Sequence, residues 1–373
     1  MAITVSAIKT ICDNPDSLFC YFGWPSVGRL PDGTLAMVAS GFRLKHICPF
    51  GKGVICYSRD EGKTWTRPAV IFDTPLDDRD CGITVLDEKR VLVTSFNNSI
   101  HAQRGWNRET GEHKWKTQTR RELSEAYLNL LAEQPEVEER YLGSTCRISE
   151  DGGYSFGPVF RMPVTAPHGP CVLKDGTVLY IGRRFSKDDS FDDPEKPTIQ
   201  CWKMNGMKEP ELLGEIANLK LDGLGLLSCE PHAIELPNGQ ILVHIRVQHY
   251  SAERKVFTVY QSISCDGGRT FSQPCRLLEE QGGSPPHLLM HSSGTLISAY
   301  GYRNAPYGIR VMLSRDLGKS WETDLILYQE GLNSDIGYPC TVELQDNSLL
   351  TVFYESTGNQ SVIRQINWRL DKT

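Results

Sequence analysis

A short apolar run, a tight polar turn and a second apolar run recur six times along the 373 residues. The copies begin at Trp24, Asp80, His168, Glu230, Pro285 and Tyr338; the first reads WPSVGRLPDGTLAMVASG and the last YPCTVELQDNSLLTVFYE. Their turns are Asp32-Gly33, Glu88-Lys89, Asp175-Gly176, Asn238-Gly239, Ser293-Gly294 and Asp346-Asn347. Four of the six end in Gly, which supplies the positive φ that a hairpin turn needs. One such hairpin cannot bury its own apolar faces, so copies must stack on one another. Six repeats of about 55 residues, each with room for four short strands, predict an all-β, six-bladed β-propeller forming a single domain over 1–373. Residues 2–11 alternate weakly and predict a strand that completes the last blade beside the run from Ser361 to Leu370. The turn-to-turn spacing of 87 residues between the second and third copies predicts an insertion near 101–140 in the second blade. Within it RRELSEAYLNLLAEQ has helical spacing, with Leu123, Tyr127, Leu130 and Leu131 on one face.

Composition narrows the function classes. The net charge is −6 and no long basic run occurs, which argues against binding nucleic acid, where clustered Lys and Arg must neutralise phosphates. No apolar run approaches the length of a membrane span. The first fifteen residues, MAITVSAIKTICDNP, lack the charged, apolar and small-residue segments of a signal peptide. The twelve Cys form no CxxC pair and lie mostly in apolar strand-like runs, so buried reduced thiols and a cytoplasmic location are expected. No cofactor or metal is called for, although three His at strand starts leave a metal as an alternative. The oligomeric state is not specified by any feature.

An eight-residue pattern, S-x-D-x-G-x-[ST]-[WF], follows four of the hairpins, starting at Ser58, Ser149, Ser264 and Ser314. The Asp can accept backbone N–H groups across a turn, the Gly permits the bend, and the aromatic packs beneath. These match Asp-boxes, and over essentially its whole length the chain resembles the sialidase-like β-propellers. Gly153 to Gly157 also spells the G-x-S-x-G of a nucleophile elbow, but it lies inside one of these turns with no strand-to-helix context.

Hairpin geometry sorts the candidate site residues. The start of each first strand and the end of each second strand meet at one end of the axis. The first set contains Trp24, Arg79, Asp80, His168, Glu230, His232, His287 and Tyr338; the second contains Arg43, Asn97, Arg183, Arg184, Arg246, Arg303, Tyr354 and Glu355. So many Arg beside one pore repel unless anions compensate, and Arg suits bidentate carboxylate recognition. Nearby Glu and Asp can supply that compensation, or an anionic ligand can; taken with the resemblance, an acidic oligosaccharide is the expected partner.

The resemblance implies roles for several of these. Tyr338 matches the family's nucleophile and Glu230 the base that activates it. Arg246 matches one member of a carboxylate-binding Arg triad, and Asp80 an acidic residue lining the pocket. The chain departs from the pattern elsewhere. Gly23-Trp24-Pro25-Ser26 stands where the family has an R-I-P motif, and the third Arg has only Arg303 and Arg310 nearby, with Tyr307 in its neighbourhood. The acid/base Asp is missing from residues 43–53, RLKHICPFGKG, where His46 is the group that titrates near neutral pH. The resemblance thus implies an exo-acting glycoside hydrolase for an acidic sugar, a nonulosonic acid or a uronate-bearing glycan. Tyr338, Glu230 and either Asp80 or His46 would act on the bond. Arg246 with Arg43 or Arg303, together with Trp24, His168 and His232, would bind the sugar. Two alternatives stand: a lyase or His-dependent glycosidase working on a uronate linkage through His168, His232 and His287, and a glycan-binding propeller without catalysis.

Overall fold

The computed structural model describes residues 3–107, 117–186, 198–251 and 253–371. Part of the sequence segment expected to form an insertion, 108–116, lies outside them. The chain starts with a strand, β1 (Ile3–Cys12). A first run of strands follows, β2 (Tyr21–Arg29), β3 (Leu35–Arg43), β4 (Lys52–Ser58) and β5 (Ala69–Phe72). A second run has β6 (Arg79–Val85) and β7 (Val91–Phe96), then the helices α1 (Ile100–Asn107), α2 (Gln118–Ala132) and α3 (Pro135–Tyr141), then β8 (Ser144–Ser149) and β9 (Phe160–Met162). The third comprises β10 (Val164–Thr165), β11 (Cys171–Val172), β12 (Val178–Arg184), β13 (Ile199–Asn205) and β14 (Lys208–Ile216). In the fourth are β15 (Leu219–Leu221), β16 (Leu224–Glu235), β17 (Ile241–Tyr250), β18 (Lys255–Ser264) and β19 (Cys275–Arg276). The fifth is β20 (Pro286–Met290), β21 (Leu296–Tyr302), β22 (Tyr307–Ser314) and β23 (Glu322–Gly331). The last is β24 (Ile336–Glu343), β25 (Leu349–Ser356) and β26 (Ser361–Leu370), with β1 antiparallel to β26.

The protein is all-β with a β-propeller arrangement. Its described strands hydrogen-bond into five sheets rather than six separate ones. The reason is local. A single parallel pairing, Tyr21 with Ser361, links β2 to β26 and merges the first and last runs into one eight-stranded sheet. Apolar clusters bind neighbouring runs in cyclic order. Ala36, Val38 and Ile55 pack on Ile83, Val91 and Val93 of the second run, and Leu92 and Cys146 on Val164 and Tyr180 of the third. The sequence of contacts returns to its start where Phe22, Met37 and Val54 meet Leu350, Val352 and Ile363. Each fully buried Leu, Ile or Val contributes about 1.5–3 kcal/mol, so these faces hold the ring together.

The S-x-D-x-G turns reinforce the same joints. In the first, Asp60 accepts from the Thr64 N–H at 2.8 Å and from its hydroxyl at 2.6 Å, while Ser58 Oγ accepts the Gly62 N–H at 2.9 Å. Gly62 has φ 77°, and a Cβ there would collide with Leu350 of the last run. Trp65 Nε1 donates to Gln365 of that run at 2.9 Å. In the second turn Ser155, the serine of the G-x-S-x-G string, gives its hydroxyl to Asp151 at 2.5 Å.

Helix α2 turns a different face inward from the one its spacing suggests. Ser124, Leu128 and Leu131 are buried, at i, i+4 and i+7, and Tyr127 stacks on Phe50 with ring centroids 4.7 Å apart. Leu123 and Leu130 are exposed, so the stripe is rotated by roughly one residue. The helix leans on the segment after β3: Arg120 donates to the Leu44 carbonyl at 3.2 Å and to Cys20 Sγ at 3.3 Å. All twelve Cys are free thiols, buried except Cys265 and Cys275. No helix among the described residues is long and apolar enough to cross a membrane.

Candidate active site

Four inner strands carry the same local distortion. In β2, β6, β16 and β24 one extra residue is inserted relative to the partner strand, between Gly23 and Ser26, Arg79 and Gly82, Cys229 and His232, and Gly337 and Cys340. The bulge places Trp24, Asp80, Glu230 and Tyr338 at φ 56°, 46°, 47° and 52°. A left-handed conformation costs a residue with a side chain roughly 1–2 kcal/mol. Four equivalent bulges of this kind re-aim four side chains toward the axis, which an unbroken strand would turn into its own faces.

Two of the re-aimed groups, Glu230 and Tyr338, and Arg246 bond to one another. Tyr338 Oη donates to Glu230 Oε1 at 2.6 Å. Arg246 Nη1 donates to Glu230 Oε2 at 2.6 Å and to Tyr338 Oη at 3.2 Å. Gln248 holds the other side of the guanidinium, its Oε1 lying 3.0 Å from Nε and 2.5 Å from Nη2. Burial alone would raise the Glu230 carboxyl, but Arg246 and the Tyr338 hydroxyl outweigh it and leave the group below the usual carboxylate range. Burial, then the charges of Glu230 and Asp80, push the Tyr338 phenol well above its ordinary value. The resting pair is a neutral phenol hydrogen-bonded to a carboxylate. Arg303 lies 5.8 Å from the Tyr338 ring and shares the Phe257 face with Arg246, at 5.3 and 4.9 Å.

Arg246, Gln248, Phe257 and Arg303 line a cavity of about 620 Å³; Tyr338 and Glu230 are not in its lining but contact Arg246, which is. Lys45, Arg246, Lys255 and Arg303 line it, with Asp335 as the one carboxylate of the lining. His46 lines it too, its Nδ1 2.8 Å from Asp335 Oδ1. Asp80 and Glu230 face a narrower cavity of about 60 Å³. Asp80 is buried, its Oδ1 has no hydrogen-bond partner, and Arg79 Nε stands 4.0 Å away. Burial above all raises its carboxyl to about 7. Such a group binds a proton in the folded state that the unfolded chain has released, so stability falls as pH climbs from about 4 to about 7. Asp80→Asn, which mimics the protonated form, is expected to raise the melting temperature at pH 7 and to flatten this slope. Thermal melts of both proteins across that range check it, and a variant less stable than the parent at pH 7 contradicts it.

Several sequence candidates fall elsewhere. Arg43 is fully buried; its guanidinium pairs with Asp77 at 2.5 and 2.8 Å and caps the His46 carbonyl at 3.0 Å. It braces the His46 segment and lines neither cavity. Trp24 is 1% exposed, covered by Arg43 and Arg79 at 4.8 and 4.4 Å from its ring. It is a packed wall behind Tyr338, not a platform for a sugar ring. Arg310 turns away to Asp324 at 3.2 Å. His232 and His287 sit two residues past the opening position, so they form a deeper layer, with ring centroids 4.4 Å apart and His168 within 5.6 Å of both. None of the three lines either cavity.

The Leu288 N–H donates to His232 Nδ1 at 2.9 Å and the Thr341 N–H to His287 Nδ1 at 3.3 Å. Each Nδ1 is thus an acceptor and each proton sits on Nε2, the wrong tautomer for a metal ligand at that atom. Burial pushes His232 down to about 4 and the other two well below their ordinary value. Among the described residues no group of three or more His, Cys, Asp or Glu is placed to hold a metal ion.

Four contributors escaped sequence reasoning: Tyr21, Gln248, Phe257 and Asp335. One signal was present. Tyr21, Asp77 and Asp335 each stand three residues before an opening residue, at equivalent positions of three repeats.

No protein-family model matches the sequence, and no curated protein does. Solved structures do share the fold. A protein of unknown function from Dyadobacter fermentans superposes with a TM-score of 0.75 at 18% identity, covering 99% of this chain and all of its own. The NanB sialidase of Streptococcus pneumoniae gives 0.65 at 12% identity, over 98% of this chain and 70% of that one. The alpha-L-arabinanase of Penicillium chrysogenum gives 0.63 at 14%, over 97% and 98%.

Proposed function

We propose that this protein is an exo-acting glycoside hydrolase for an acidic sugar. The observation that carries this reading is the Tyr338–Glu230–Arg246 cluster, a neutral phenol poised on a carboxylate and joined through Arg246 to a cavity that Lys45, Lys255 and Arg303 also line. A phenol is a weak nucleophile until its proton has somewhere to go. Here Glu230 takes that proton as the Tyr338 oxygen bonds to the anomeric carbon. The glycosidic C–O bond breaks, and the leaving oxygen takes a proton from Asp80 or His46. Water then releases the sugar from Tyr338, returning both protons to their starting groups. Arg246 and Arg303 clamp the substrate carboxylate, and the sugar enters with less repulsion than a carboxylate nucleophile would impose. The sialidase and arabinanase named above share the fold, and the cation-lined cavity favours the acidic class of substrate over the neutral one.

The same proposal takes the chain as one propeller of six blades. The eight-stranded sheet counts as two blades joined by the Tyr21–Ser361 pairing, β1 closes the last blade, and the helices between β7 and β8 form an insertion in the second. Cytoplasmic residence is proposed with it, supported by the twelve free thiols.

A screen of acidic and neutral oligosaccharides, followed by reducing-end release and by ultraviolet absorbance, tests the reading. The expected result is reducing sugar from an acidic glycoside without new absorbance. Absorbance from an unsaturated product would establish a lyase instead, and activity confined to neutral arabinosides would remove the acidic substrate.

A further inference from the structure

The structure assigns the proton-donating role in this site to His46, with Asp335 as the residue that positions its ring and holds its charge. This assignment rests on the glycosidase reading above. It starts from hydrogen-bond chemistry. An ionised carboxylate only accepts, so the 2.8 Å contact between His46 Nδ1 and Asp335 Oδ1 puts a hydrogen on Nδ1. Proton exchange is thereby left to Nε2. Tyr21 Oη also lies 2.9 Å from Nδ1, but with Nδ1 protonated its own hydrogen goes to the carboxylate, 2.9 and 3.0 Å from the two Asp335 oxygens, and Tyr354 Oη donates there at 3.1 Å. Three donors converge on one carboxylate, which stays ionised: burial opposes this, but His46 and the Tyr21 hydroxyl bring the group down to about 2.

The ring has little freedom. Trp24 meets it edge-on at 4.9 Å, and Arg43 grips the His46 carbonyl at 3.0 Å from its own buried pairing with Asp77. Among the described residues, charges reach the ring from four directions. Lys45 adjoins it on the same segment, Arg43 holds its carbonyl, Arg303 bonds Tyr354 on the far side, and the Asp335 carboxylate contacts Nδ1. Beside these cations, a carboxylate in contact with Nδ1 favours the protonated ring. This is why Asp335 matters to chemistry and not only to packing. In the first step the leaving-group oxygen takes the Nε2 proton as the glycosidic C–O bond breaks. In the second, the neutral Nε2 accepts a proton from the attacking water.

Nitrogen-15 NMR of the imidazole, on the whole protein and on Asp335→Asn, tests the pair without any substrate. Above its titration His46 should show the Nδ1–H tautomer, and Asp335→Asn should lower its midpoint by about one unit or more. An Nε2–H tautomer, or a midpoint that does not move, overturns the assignment. A second arm uses methyl and 4-nitrophenyl glycosides of N-acetylneuraminic acid and of glucuronic acid. His46→Ala and Asp335→Asn should lower kcat/KM on the methyl glycosides by about 100-fold or more. The 4-nitrophenyl compounds, whose phenolate departs without a proton, should keep kcat/KM within a few-fold, since that ratio excludes the water step, while their kcat falls. Equal loss of kcat/KM on both compounds also overturns the assignment. Full activity of Tyr338→Phe on both would remove Tyr338 as nucleophile, and no hydrolysis of any of these glycosides by the parent would defeat the glycosidase reading; in either case the tautomer and midpoint would still judge the His46–Asp335 pair.

Discussion

Replacing Tyr338 by Phe is expected to lower glycoside hydrolysis by about a thousand-fold or more, the order found when a nucleophile or its proton-transfer partner is removed. The variant loses a single oxygen. That oxygen donates to Glu230 at 2.6 Å and receives from Arg246 at 3.2 Å, while the ring packs against Trp24 and Tyr354 through faces that Phe preserves. The fold should therefore survive, and circular dichroism with a melting curve separates loss of chemistry from loss of structure. Glu230 keeps Arg246 in the variant, so no buried charge is left alone. Steady-state rates on whichever acidic glycoside the screen identifies provide the measurement. A rate within tenfold of the parent would remove Tyr338 from the mechanism.

The second large effect is on stability. Asp77→Asn is expected to cost about 3–5 kcal/mol, because it leaves the Arg43 guanidinium buried and uncompensated. Both side chains of this pair are 0% exposed, so solvent cannot screen the charge. Gln103 Nε2 also donates to Asp77 at 2.9 Å, which ties α1 to the same carboxylate. Denaturant titration measures the loss. The double variant Asp77→Leu with Arg43→Met should recover much of it, since an apolar pair of similar volume carries no charge to desolvate. If the single variant loses less than about 1 kcal/mol, the pair is not the brace that its burial implies.

Much of this architecture was legible in the residues. Repeated hairpins with Gly at the turn report their own backbone: Gly33, Gly176, Gly239 and Gly294 all take φ between 82° and 89°. The central strands alternate too little to expose a face, and they are buried along nearly their whole length, as in β3 and β17. The face of α2 was misjudged by about one residue because helical periodicity alone does not say where the partner lies. Here the partner is the segment around Leu44 and Phe50, distant in sequence.

The site was legible in part, and the division has one physical cause. Residue types and their repeat positions pointed to Tyr338, Glu230, Arg246, Arg303 and Asp80, since chemistry-bearing side chains recur where strands open onto the axis, and the resemblance drew attention to His46. Which of the arginines faces a ligand could not follow from position. Arg43 and Arg246 both lie in the second strands of their repeats, but Asp77 buries one and Glu230 holds the other beside the cavity. Nor did any local pattern mark the bulges that turn Trp24, Asp80, Glu230 and Tyr338 inward, because a left-handed residue other than Gly is imposed by its surroundings. The sequence by itself determined the repeating hairpins and the kinds of groups at their mouths, which are set by short-range backbone preference and apolar patterning. Only the tertiary structure decided the pairings, such as His46 with Asp335 across 289 positions of chain, because burial and charge compensation depend on neighbours that the ring closure brings together.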